Sequence, residues 1–174
     1  MTALLEGPSA ASPHPIRRHF GRRKFDKQPS QTAAVLLAAP MGDPIPASAV
    51  RAAVKRSGGE AVAVVTIARI YGSSMGLPNP GLMPTRKEME AQKSQVEKAL
   101  RLIEKAGAEA WGQVAASRKP VKTITQAAKA RGVREVIVVR PVQTKRWREV
   151  VEGDIVKDIA RKLGSEINVE GVSP

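Results

Sequence analysis

The residues best placed to do chemistry lie in "VVRPVQTKRWREVVEGD", residues 138–154, an apolar strand that runs into the first turn of a helix. Open α/β sheets hold ligands at such junctions, because strand ends and helix N-termini converge there. A glycine-rich loop would wrap backbone N–H groups around a phosphate at this point. Here no glycine comes before Gly153, and Arg140, Lys145, Arg146 and Arg148 gather around Trp147. Cations with one interleaved aromatic suit a phosphate backbone and a stacked base. The plainer alternative is a solvated basic loop with Trp147 packed on the domain or on a subunit partner.

A second cluster, "HPIRRHFGRRKFDK" at residues 14–27, carries six Lys and Arg against Asp26 alone. Arg17, Arg18, Arg22, Arg23 and Lys24, with Phe20 and Phe25 among them, read as a flexible tail for RNA, a ribosome or another polyanion. A solubilising tail is the competing reading. Residues 28–174 keep 23 basic against 14 acidic residues, so the excess is not confined to the tail. The net charge of +13 favours an anionic partner throughout. No motif for reading a nucleic-acid groove is present.

What the chain lacks narrows the chemistry. There are no cysteines, and the two histidines, His14 and His19, both lie in the basic tail. A histidine triad, a thiolate nucleophile and a Cys/His zinc site are thereby excluded from residues 28–174, and a non-enzyme is expected. No apolar run reaches the ~20 residues of a membrane span. Glu6 stands where a signal peptide would want a cation, so a cytoplasmic protein is expected, an Arg-rich transit peptide being the alternative.

The elements that must position these residues follow from periodicity. Residues 1–31, rich in Pro, Ser and charge, read as a disordered arm, and residues 32–174 as one α/β domain. "TAAVLLAAP" is a short continuous apolar run, the mark of a strand buried on both faces. "PIPASAVRAAVKRSGG" reads as a helix with Pro46 in its first turn and Gly58 or Gly59 past its end. "EAVAVVTIARI" is a second buried strand. "YGSSMGLPNPGLMP" lacks G-x-x-x-x-G-K-(S/T), so Gly72 to Gly81 read as a connection over the sheet edge. "PTRKEME" holds a capping box, Thr85 with Glu88, opening a helix whose inward face is Met89, Val96, Leu100, Ile103 and Ala106, closed by Gly107. "EAWGQVAAS" is a third strand, and "PVKTITQAAKARG" a helix from Pro120 to Gly132 with Val121, Ile124 and Ala128 inward. "REVIVV" is a fourth strand, "DIVKDIARKLG" a helix presenting Ile155, Ile159 and Leu163, and "SEINVEGV" a fifth strand. The order βαβαβαβαβ requires a single open, mostly parallel five-stranded sheet with helices on both faces.

This order resembles the universal stress protein family over about residues 32–172. The best local match is "SRKPVKTITQAAKARGVREVIVV", where Pro120, Ile124, Ala128, Gly132 and Val136 to Val139 fit the family's third helix and fourth strand. Nucleotide-binding members carry G-x2-G-x9-G-(S/T) after that strand. Laid on this chain without a gap, its last glycine falls on Gly153, its first two on Arg140 and Gln143, and its hydroxyl on Asp154. Arg140 and Gln143 restrict the backbone where glycines would let it approach phosphate, Pro141 removes a donor, and Asp154 at a helix N-terminus can cap the free N–H groups in the place of an anion. The family's first strand ends in an Asp that contacts the nucleoside. Pro40 stands near that position, and Asp43 could substitute only if the loop folds back.

The resemblance thus implies a UspA-like binding or regulatory protein, degenerate in its nucleotide loop and without a required cofactor. The alternatives are an ATP or other adenine-nucleotide binder using Arg140 or Lys145, and an RNA- or ribosome-associated factor. The family's habit of dimerising through its last strand implies a homodimer paired antiparallel near Ile167 to Val169, along an edge read as uncharged in its middle.

Overall fold

The computed structural model describes residues 32–70, 83–140 and 154–173. Five strands, β1 (Val35–Ala39), β2 (Val62–Arg69), β3 (Ala110–Ser117), β4 (Glu135–Val139) and β5 (Asn168–Val172), form one sheet in the order β3-β2-β1-β4-β5. Every neighbouring pair is parallel, with Leu36 opposite Ala63 on one side and Val136 on the other. The sheet is therefore wholly parallel, beyond the mostly parallel expectation.

Among the described residues, four helices cover it: α1 (Ala47–Ser57), α2 (Arg86–Lys105), α3 (Pro120–Arg131) and α4 (Ile155–Leu163). Parallel strands need crossovers, and right-handed crossovers put helices on opposite faces once the strand order reverses direction. The order reverses after β3, where the chain returns past β1 to β4. Accordingly α1 and α2 pack with Leu37, Val64 and Ile137 on one face, and α3 and α4 with Leu36, Val65 and Val138 on the other. β1 and β4 are buried at every residue, which explains why they read as unbroken apolar runs.

The local signals hold in most places. Thr85 Oγ1 accepts from the Glu88 N–H at 3.2 Å, and the Thr85 N–H donates to the Glu88 carboxylate at 2.7 Å, completing the capping box. Gly58 and Gly132 end α1 and α3 in the left-handed region, at φ 61° and 60°.

Three details differ from the periodicity. Pro46 precedes α1 as its cap, accepting from the Ala49 and Val50 N–H groups, because its fixed φ fits the extended entry to the helix. Ala106 is exposed just past the end of α2, where the turn into Gly107 rotates it off the apolar face. Residues Gly164–Glu166 form a 3-10 turn, so β5 starts only at Asn168 and has Glu170 at its centre. Glu170 is neutralised locally. Arg56 on α1 bridges it at 2.6 Å and also reaches the buried Glu135 carboxylate at 3.1 Å, while Asn168 Nδ2 donates to Glu135 at 3.2 Å. One arginine thus ties α1, β4 and β5 together, and its contact with Glu135 keeps that buried carboxylate from being an isolated charge.

Gly112 on β3 shows how closely α2 lies on the sheet. A Cβ there would run into Val96 Cγ1, a fully buried and stiff side chain, with Leu100 Cδ1 at 3.3 Å behind it. Gly112→Ala is expected to lose about 1–3 kcal/mol through overpacking, read as a lowered midpoint in chemical denaturation. An unchanged midpoint would mean that α2 can lift from β3 freely.

Candidate ligand site at the carboxyl edge

The reversal of strand order falls between β1 and β4, and the crevice outside their carboxyl ends is where such sheets take ligands. From β1 the chain contributes Pro40 to Asp43; from β4 it contributes Arg140; and α4 returns with Asp154 at its N-terminus. Gln143, Lys145, Arg146, Trp147, Arg148 and Gly153 lie outside the described residues, as do Arg17, Arg18, Arg22, Arg23, Lys24 and the Gly72 to Gly81 stretch.

Asp154 caps α4. Its Oδ1 accepts from the Val156 N–H at 3.0 Å and the Lys157 N–H at 3.3 Å, with the Lys157 ammonium 3.8 Å from Oδ2. Those two N–H groups are the donors that a helix N-terminus would otherwise offer an anion. The side chain itself supplies the anion here.

Arg140 follows β4 closely. Its N–H donates to the Val172 carbonyl at 2.8 Å, extending the β4–β5 ladder by one residue. Its guanidinium lies across β5 at Gly171, where a Cβ would meet Nε at 2.5 Å and Val156 Cγ2 at 3.0 Å. Gly171 is the groove in which the arginine rests, so this cation is directed along the sheet edge over β5.

The loop after β1 is pinned from the α1/α2 helical layer. Gly42, at φ 74°, accepts through its carbonyl from Gln92 Nε2 at 2.7 Å, and a Cβ on it would stand 2.8 Å from that nitrogen. Arg69, at the end of β2, reaches Met41 Sδ at 3.9 Å. Pro40 is buried and Asp43 half-buried beside this strap, and burial raises the Asp43 carboxyl pKa. Gln92 thus ties the loop after β1 to α2.

Gln92, Thr66 and Arg69 belong to this edge although none stood out in the sequence. Gln92 had a readable signal: it breaks the apolar stripe of α2 between Met89 and Val96. Thr66 had none, being one hydroxyl in a β-branched strand. It is fully buried, and neither its Oγ1 nor Gln92 Oε1 has a hydrogen-bond partner among the described residues. Among those residues, too, no group of three His, Cys, Asp or Glu side chains comes together to hold a metal ion.

No family model matches the sequence, and no curated protein matches it. Solved structures do match. A universal stress family protein from Burkholderia pseudomallei aligns over 83% of this chain and 98% of its own, at 11% identity and a TM-score of 0.54. A universal stress protein from Archaeoglobus fulgidus aligns over 79% and 98%, at 16% identity and 0.54. A universal stress protein in complex with cAMP aligns over 82% and 98%, at 16% identity and 0.51. Taken with the β3-β2-β1-β4-β5 order, these matches show that the chain has the universal stress protein fold.

Proposed function

We propose that the chain is a non-catalytic binding or regulatory protein that has lost the standard ATP loop of its fold and engages an anionic partner. The Asp154 cap carries this reading. A phosphate seated at the N-terminus of α4 would have to displace the carboxylate from the Val156 and Lys157 N–H groups. Left in place, the carboxylate would repel a phosphate charge ~4 Å away by roughly 4 kcal/mol at a surface-like dielectric. The attraction of the helix end for a charge, about 0.3–1 kcal/mol, does not offset that. Pro40 in place of a nucleoside-contacting carboxylate, and Arg140 directed over β5, weigh in the same direction.

A second reading keeps an adenine nucleotide at the carboxyl edge. It draws on the solved universal stress protein in complex with cAMP and on the half-buried Asp43 in the loop after β1. It needs Arg140 or Lys145 to replace backbone donors. The anionic partner of the first reading is an RNA, a ribosome or another polyanion, consistent with the net charge of +13. A cytoplasmic setting fits it, and among the described residues no helix is long and apolar enough to cross a membrane.

Three measurements separate these readings. ATP titrated into the protein by calorimetry is expected to show no binding tighter than millimolar, weaker than about −4 kcal/mol. A micromolar constant would establish the nucleotide reading, and Asp154→Ser should then tighten it further. The β5 edge, at the end of the sheet beside Ile167 and Val169, is expected to pair antiparallel with a second copy. Light scattering at tens of micromolar should return a dimer mass, and a monomer mass would count against this pairing.

The third measurement concerns the basic arm. Each phosphate contact adds about −0.7 to −0.9 to the slope of log K against log salt. Deleting residues 1–30 is expected to flatten the slope for an RNA oligonucleotide by several units. Equal affinity and slope for full-length and truncated protein would leave the arm as a solubility tail.

A further inference from the structure

On the outer face of the α1/α2 layer the two helices leave a groove of about 360 Å³. Val50, Val54, Leu102 and Ala106 form its apolar floor, and Arg51 and Lys55 its rim. Leu102 is 44% exposed, the single large apolar side chain so exposed among the described residues. Its helical neighbours at i−4 and i+3 are Lys98 and Lys105, both exposed. The groove is therefore an apolar floor between four cations.

Among the described residues those cations are unneutralised. Arg56, Arg86, Arg134 and Arg161 all pair with carboxylates, whereas Arg51, Lys55, Lys98 and Lys105 make no ion pair among the described residues. α1 contains no acidic residue, and Glu97 and Glu104 of α2 project away from the Leu102 side, five residues before it and two after. Four like charges around one exposed leucine repel one another unless something acidic covers them.

We infer that this groove docks an acidic amphipathic helix of a partner protein, with apolar anchors on the floor and carboxylates against Arg51, Lys55, Lys98 and Lys105. Apolar residues at i, i+3 or i+4 and i+7 would fit such a groove, as helix-in-groove partners do. The chain's own arm is a poor occupant, because Arg17, Arg18, Arg22, Arg23 and Lys24 would meet like charge. A second copy seated symmetrically would oppose the same four cations to themselves. The proposal stands independently of what the carboxyl edge binds.

The test is fluorescence anisotropy of the full-length protein with a labelled synthetic helix carrying Leu anchors at this spacing and Glu on both flanks. A matched peptide with Gln for every Glu, and phosphatidylserine vesicles, serve as comparisons. The Glu peptide is expected to bind about tenfold more tightly than the Gln peptide, charge complementarity supplying the difference. Leu102→Gln, which leaves net charge unchanged, should weaken the Glu peptide by about tenfold, as loss of a central anchor does. The double variant Arg51→Gln/Lys55→Gln should narrow the gap between the peptides, with thermal melts of both variants unchanged. Equal affinity for the two peptides would overturn the proposal. So would binding weaker than millimolar, or Glu-peptide binding indifferent to Leu102→Gln, which would assign it to other cations. Leu102-dependent sedimentation with vesicles but no peptide binding would assign the surface to a membrane instead.

Discussion

β1 has no polar side chain and no exposed residue between Val35 and Ala39, so both of its faces must be covered and both of its edges paired. A strand that cannot touch water has to sit at the centre of a parallel sheet between two helical layers. With β2 and β3 on one side and β4 and β5 on the other, the strand order reverses beside it, and a crevice opens at the carboxyl ends. The position of the candidate site is thus a consequence of apolar content in five residues. Its chemistry is a separate matter, set by the loop residues directly after β1 and β4.

At that crevice the chain's own groups engage one another. Asp154 satisfies the first donors of α4, Arg140 lies across Gly171, and the Gly42–Gln92 bond straps the β1 loop to α2. Each feature also stabilises the fold, which gives the site a structural explanation without a ligand. The buried oxygens of Thr66 and Gln92 are the exception, since neither is satisfied within the described residues. Electrostatics elsewhere has another pattern. Arginines that tie elements together are paired, as Arg56 is with Glu135 and Glu170, while the cations around Leu102 have no ion pair among the described residues.

Most of the fold was legible because its signals are local. Continuous apolar runs marked the buried strands, glycines in the left-handed region ended α1 and α3, and Thr85 with Glu88 opened α2. Legibility failed where the cause is tertiary. The charge of Glu170 stands in the β5 sequence itself, so the edge was misread as uncharged, whereas nothing near it in the chain announces its pairing with Arg56. Gly42 is one more loop glycine in the sequence, and only the fold brings Gln92 across from another helix to hold it. At the site, Asp154 was readable as a cap because capping is local. Arg140 was readable as a cation at the strand end, but its course over β5 depends on Gly171, far along the chain.

The backbone amides of Val156 and Lys157 report directly on whether Asp154 holds the place of an anion. In the wild-type protein, their NMR signals should stay in place as ATP is added to millimolar concentration. In Asp154→Ala, where the same N–H groups are released, they should move. Displacement of both signals in the wild type at submillimolar ATP, no greater in the variant, would contradict the account.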